Sequence, residues 1–127
     1  AQDEQPFKDD LEKLPGLKPA FDKGPSGTVT AGNASTLNDG AAVLMVTSED
    51  FVKQHGLKPK AKIIATATYS QSPEWFTTAP VGAMQQVLAK AGMSASDIDL
   101  YEINEAFAAV AMAAMYELHL PHDKVNV

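Results

Sequence analysis

Asn104 and Glu105 stand where a strand gives way to a helix, between the apolar positions Ile98, Leu100 and Ile103 and the small-residue run that starts at Ala106. In an open α/β sheet that is where polar chemistry is done, because helix N-termini point free N–H groups beyond the carboxyl ends of strands. Spacing alone leaves two uses of Asn104 open: its side-chain oxygen caps the helix, or its amide is presented to a ligand or a water. Glu105 has a similar pair of readings, a general base or a carboxylate that simply suits the positive end of the helix dipole. A second cluster, Gly32-Asn33-Ala34-Ser35, sets a glycine that allows close backbone approach beside a hydroxyl with one donor and two acceptor sites. Ordinary turn chemistry accounts for that cluster equally well. The pair Trp75-Phe76 is either core or interface material or the wall of a substrate pocket.

Other chemistries are disfavoured. His119 and His122 have an H-x-x-H spacing, but Pro121 lies between them and no third ligand is evident, so no metal site is expected. His55 suits the negative end of a short helix. The chain has no cysteine, which excludes disulfides, thiolate metal sites and a thiolate nucleophile within these residues. No nucleophile, base and orienting group can be assembled from what is present. There is neither a P-loop nor a strand-linked G-x-G-x-x-G. Sixteen acidic residues against ten lysines, with no arginine, give a net charge of −6, which argues against nucleic acid and anionic membranes as partners. No run of apolar residues is long enough to span a bilayer, and the first residues lack a signal-peptide pattern.

The elements that must position these residues alternate. Residues 1–27, with four prolines, read as a loop-rich arm carrying at most one short helix. Thr28-Val29-Thr30 is a short β-prone run, and 41–46 is apolar on both faces like a central strand. Residues 48–56 form a helix with Thr47 or Ser48 as N-cap and Gly56 as its stop. Residues 61–70 read as a long strand, 79–92 as a helix with Val81, Met84, Val87, Leu88 and Ala91 inward, and 98–103 as another strand. A helix over 106–118 has almost no polar face and is expected to be buried on most sides. Val125-Asn126-Val127 opens a last strand. This order is that of an α/β sheet protein.

Two segments carry more than spacing can. The stretch 27–35, Gly-Thr-Val-Thr-Ala-Gly-Asn-Ala-Ser, continuing to Asn38-Asp39-Gly40-Ala41-Ala42, resembles the central signature of the thiolases, and Tyr101-Glu102-Ile103-Asn104-Glu105-Ala106-Phe107-Ala108 is similar to their second. The separation of the two also matches, as do Pro19-Ala20-Phe21 and Val125-Asn126-Val127.

The resemblance implies a layered α-β-α-β-α fold of which this chain is a partial slice. Residues 1–26 would end the coenzyme A-binding loop domain, 27–57 would be the last strand and helix of the N-terminal core domain, and 58–127 the first part of the C-terminal core domain. It implies acyl transfer between acyl-CoA thioesters, acetoacetyl-CoA formation or 3-ketoacyl-CoA thiolysis, through an acyl-cysteine. The nucleophilic cysteine, a histidine and a second cysteine of the family are not in this chain, so alone it is expected to be inactive and its first partner is the remainder of a thiolase chain. Asn104 matches the asparagine that holds an oxyanion-hole water, a use that suits donors fixed at a strand end. Ser35 matches a serine on the pantetheine arm of coenzyme A. Ala106, Phe107 and Ala31 match the lining of the pantetheine tunnel, and Leu17 and Phe21 match residues near the adenine. Phe76 falls in the loop that shapes the acyl pocket, where a bulky ring would favour short chains. Lys13 and Lys18 are at hand for the phosphates. Coenzyme A thioester enters as substrate, no cofactor or metal is implied, and a cytoplasmic homodimer or homotetramer is expected. The alternative is a non-catalytic thiolase-like module for acyl-CoA binding or assembly.

Overall fold

The computed structural model describes residues 5–8 and 10–127; residues 1–4 and 9 of the expected arm lie outside the described residues. The arm carries one helical turn, α1 (Gln5–Lys8), and a 3-10 turn at Leu14–Gly16. Pro15, Gly16 and Pro19 interrupt anything longer. It then doubles back, and the Ala20 N–H donates to Val29 O at 2.8 Å. Gly27 permits that approach: a Cβ there would lie 1.8 Å from Asp22 O and 2.7 Å from Pro19 Cβ.

Three longer helices follow, α2 (Glu49–His55), α3 (Ala79–Ala91) and α4 (Ala108–Leu118). Ser48 caps α2 by accepting from Phe51 N–H at 3.2 Å, with Glu49 and Asp50 in the first turn and Lys53 and His55 in the last. Pro80 opens α3, at a position where its missing N–H has no intrahelical partner to lose. All three end alike, on a left-handed residue whose successor reaches back five positions. The residue is Gly56, Gly92 or His119, and the bonds are Leu57 N–H to Val52 O at 3.0 Å, Met93 N–H to Leu88 O at 3.0 Å and Leu120 N–H to Met115 O at 2.9 Å.

The core sits at the C-terminal side of the chain. Tyr101, Ile103, Val110, Ala111, Ala114, Leu120 and Val125 are buried, with Val81 and Met84 of α3 packed against them. Tyr101 and Val125 make a parallel pair, Tyr101 N–H donating to Lys124 O at 2.8 Å and Asn126 N–H to Tyr101 O at 2.9 Å. The Tyr101 hydroxyl donates to Ala95 O at 2.7 Å, and Lys124 Nζ donates to Ile98 O at 2.8 Å.

The structure departs from the sequence reading at several places, and the strand expected over 98–103 is reduced to the single Tyr101–Val125 pair. Residues 28–30, 41–46 and 61–70 form no ladder with another described segment, because a strand needs a partner and none of the described residues provides one. Val43 and Leu44 are accordingly 94% and 88% exposed. Residues 61–70 do touch α3, through Lys90 Nζ donating to Thr66 O at 3.0 Å and through the Tyr69 ring lying over Gly82. Second, α4 starts at Ala108 rather than Ala106, because Ala106 and Phe107 are drawn into extended pairing with the Gly32–Ser35 turn. Third, α4 buries one face only; Met112 and Tyr116 on its other side are exposed. No described helix is long and apolar enough to cross a membrane.

Candidate functional site

The two signature segments, some seventy residues apart in the chain, are bonded to each other. Ser35 N–H donates to Ala106 O at 3.1 Å and Ala108 N–H donates to Asn33 O at 2.9 Å, which makes Ala34 and Phe107 an antiparallel pair. The turn that delivers Ser35 is knitted by Asn33. Its Oδ1 accepts from Thr30 N–H at 2.8 Å and its Nδ2 donates to Thr28 O at 2.9 Å. Thr30 Oγ1 accepts from Gly32 N–H at 3.2 Å. A Cβ at Gly32 would lie 2.3 Å from Leu14 Cδ2 and 2.9 Å from Leu17 Cδ1, so the ends of both side chains would have to move aside for one. Leu17 therefore closes over the turn, and with Leu14, Gly27, Thr28, Gly32 and Asn33 it lines an open notch of about 420 Å³.

Phe107 is the middle of an aromatic row. The Phe21 ring meets it edge-on at 6.2 Å and 78°, and the Phe76 ring at 6.1 Å and 63°. Such edge-to-face pairs contribute about 0.5–1.5 kcal/mol each beyond their burial. Phe21 arrives with the arm that Ala20 and Val29 fasten. Phe76 arrives on a 3-10 turn, Pro73–Thr78, stitched by Gln71 Nε2 donating to Thr78 Oγ1 at 2.7 Å and to Trp75 O. Ser72 Oγ donates to Glu74 Oε2 at 2.6 Å, and that bond holds the Glu74 carboxyl below its ordinary range. Phe21 and Phe76 both keep an open face, 74% and 53% exposed.

Asn104 lies in a second concavity of about 560 Å³, whose walls are Glu102, Ile103, Asn104, Glu105 and Asn126. The capping use of Asn104 is removed: the N-cap of α4 is Phe107, with no side-chain cap bond, and the Asn104 amide bonds to no described residue. It is exposed and faces a pocket with two carboxylates on its wall. The structure thus brings Ser35, Ala106, Phe107, Phe21 and Phe76 together, with Leu17 beside the same turn. Ala31 is exposed on that turn, and Asn104 occupies the neighbouring concavity three residues before Phe107. Lys13 is ion-paired to Asp10 at 2.8 Å on the exposed arm. His119 ends α4, its N–H donating to Tyr116 O at 3.4 Å.

Sequence reasoning gave no role of its own to Asn33, Gln71 or Asn126, each of which holds neighbouring groups near these residues. A signal existed for Asn33, which stands in a turn three residues after Thr30 where an amide can bond back to the main chain. None existed for Gln71, whose partners lie four and seven residues on.

Two family models match the chain, one described as "Thiolase, N-terminal domain" over residues 1–50 and one as "Thiolase, C-terminal domain" over 57–127. The chain is 49% identical to a probable acetyl-CoA acetyltransferase of Dictyostelium discoideum, over 99% of this chain and 30% of that protein. It is similar to the crystal structure of the Bacillus anthracis acetyl-CoA acetyltransferase, with a TM-score of 0.84, 49% identity, and coverage of 92% of this chain and 29% of that one. It is likewise similar to human mitochondrial 3-ketoacyl-CoA thiolase solved in complex with CoA, with a TM-score of 0.86, 43% identity, and coverage of 94% and 30%. The chain spans about 30% of the length of the curated relatives it matches.

Proposed function

Because this chain belongs to the thiolase family and has the α/β thiolase fold as a partial slice, we propose that it serves an enzyme that transfers acyl groups between coenzyme A thioesters. The enzyme forms acetoacetyl-CoA or cleaves 3-ketoacyl-CoA, and the acyl group rides on a cysteine that this chain, having none, does not supply. Asn104 holds the water that donates to the thioester oxygen as negative charge develops there. Ser35, Ala31, Ala106 and Phe107 line the passage for the pantetheine arm, Phe76 bounds the acyl end, and Leu17 and Phe21 border the adenine end. The thioester is the substrate, and no resident cofactor is needed. The protein works as a cytoplasmic homodimer or homotetramer.

The observation that carries this reading is the pairing of Asn33 and Ser35 with Ala106 and Ala108. It sets a hydroxyl and an aromatic row beside a strand end whose asparagine amide is unengaged. In the complete enzyme, Asn104→Ala lowers kcat about 100-fold, the scale of one lost oxyanion donor, with little change in KM. Ser35→Ala instead raises KM for the thioester several-fold and leaves kcat nearly intact, as expected where ground-state and transition-state binding fall together. Steady-state kinetics separates the two. Unchanged turnover in Asn104→Ala removes that residue from the chemistry, and coenzyme A binding without turnover in the unsubstituted protein favours a non-catalytic acyl-CoA module.

A further inference from the structure

Asn126 carries three side-chain hydrogen bonds that acyl transfer itself does not call for. Its backbone is left-handed, φ 54°, which turns the side chain onto the end of the neighbouring segment. Oδ1 accepts from Ile103 N–H at 2.8 Å, while Nδ2 donates to Ile103 O at 2.9 Å and to Glu105 Oε1 at 2.9 Å. The rung before it is ordinary main-chain parallel pairing between Tyr101 and Val125. A regular ladder would continue with main-chain groups. Here one side-chain amide takes the next rung, so both polar backbone groups of Ile103 are engaged immediately before Asn104.

The chemistry selects asparagine. Ile103 N–H can only meet an oxygen, and Ile103 O and the Glu105 carboxylate can only meet a donor, so the amide orientation follows from its partners. Aspartate has the acceptor but no donor. Among non-glycine residues asparagine is also one of the few that enter the left-handed region readily.

We propose that Asn126 is a positioning residue: by clamping Ile103 and Glu105 on either side of Asn104, it fixes the direction in which the Asn104 amide faces the concavity they share. Asn104 has no side-chain bond of its own, so its aim is inherited from the backbone that Asn126 holds. The catalytic half of this inference rests on the role proposed for Asn104; the positional half does not.

The test uses the complete enzyme. Asn126→Gly keeps the left-handed backbone and deletes the amide, and Asn126→Asp keeps the shape and one acceptor but loses both donor bonds. Each lowers kcat at least about tenfold, as small misplacements of a catalytic group do, with KM for the thioester within about twofold. Amide hydrogen exchange at Ile103 speeds up in both, through the lost acceptor in Asn126→Gly and, in Asn126→Asp, because the oxygen that replaces Nδ2 is repelled by Ile103 O and the Glu105 carboxylate and pushes the side chain off Ile103. Combined with Asn104→Ala, Asn126→Gly adds less than about twofold to the loss, because one residue acts through the other. Normal kcat in both Asn126 variants while Asn104→Ala is impaired, or fully multiplicative losses in the double variant, overturns the proposal and leaves the acyl-transfer reading standing. If Asn104→Ala keeps full turnover, that reading falls instead. Faster exchange at Ile103 in the Asn126 variants then still upholds the clamp, and unchanged exchange overturns it. Should Asn126→Gly fail to fold, Asn126→Asp carries the same comparisons.

Discussion

At Gly27 the backbone oxygen of Asp22 comes closer than any side chain allows, 1.8 Å from where a Cβ would sit. Backbone cannot swing aside as the end of a side chain can, so the arm would have to lift off Val29 and take Phe21 with it. Gly27→Ala in the complete protein is therefore expected to lose about 3 kcal/mol of stability, at the upper end of overpacking effects. Gly16→Ala, with nothing within 4 Å of its Cβ, stays within about 0.5 kcal/mol, and denaturant titration of the two gives the contrast. Tyr101 offers a pH signature. Burial first, and the Asp97 carboxylate second, push its phenol above the ordinary range. A group whose folded pKa is raised contributes stability that is complete below the unfolded value, about 10 for tyrosine, and drains away as pH rises through the folded one. Tyr101→Phe loses about 1 kcal/mol at neutral pH with its bond to Ala95 O, and its stability falls less steeply above about pH 10. Urea midpoints across that range check the sign.

Among the elements, the helix ends were the most legible. Ser48 before acidic residues and Gly56 after His55 mark α2 in the sequence, and the structure places the cap and the stop there. The end of α4 was harder to read because His119 occupies the left-handed position that Gly56 and Gly92 fill elsewhere. A Cβ at φ 53° is strained, so His119→Gly is expected to raise stability by about 0.5 kcal/mol after the extra entropy of the unfolded chain is counted, a small rise in melting temperature. The start of α4 shows the opposite case. Nothing local prevents Ala106 and Phe107 from being helical, yet Asn33 and Ser35 hold them extended. That pairing sets which way the Phe107 ring faces and leaves Asn104 too far from the helix to cap it.

Over the whole molecule, apolar surface is left open where the sequence reads most strongly as strand. Val43, Leu44, Met45 and Val46 are all at least 73% exposed, and Ile63 and Ile64 are 65% and 67% exposed. Runs of exposed large apolar side chains of that kind mark surfaces that other protein covers. Leu44→Asp in the complete protein is accordingly expected to lose about 3 kcal/mol or more, the scale of an unpaired charge forced against an apolar neighbour, even though the side chain is 88% exposed within this chain. Thermal denaturation that matches the unsubstituted protein would show that these residues face solvent in the complete protein.

The sequence by itself determined where α2 and α3 lie, the cap of α2 and the glycine stops of both, because these follow from periodicity and from backbone chemistry within a few residues. Through its two signatures it also carried the family. It could not decide between the two uses of Asn104, nor find Asn126, because each depends on a partner distant in the chain: the Gly32–Ser35 turn that delays α4, and Ile103, twenty-three residues before the amide that grips it. Only the tertiary structure showed that Asn104 does not cap α4 and that Asn126 grips Ile103. A hydrogen bond between distant segments leaves no period in the sequence, and an asparagine that completes a strand is written with the same letter as one that turns a loop.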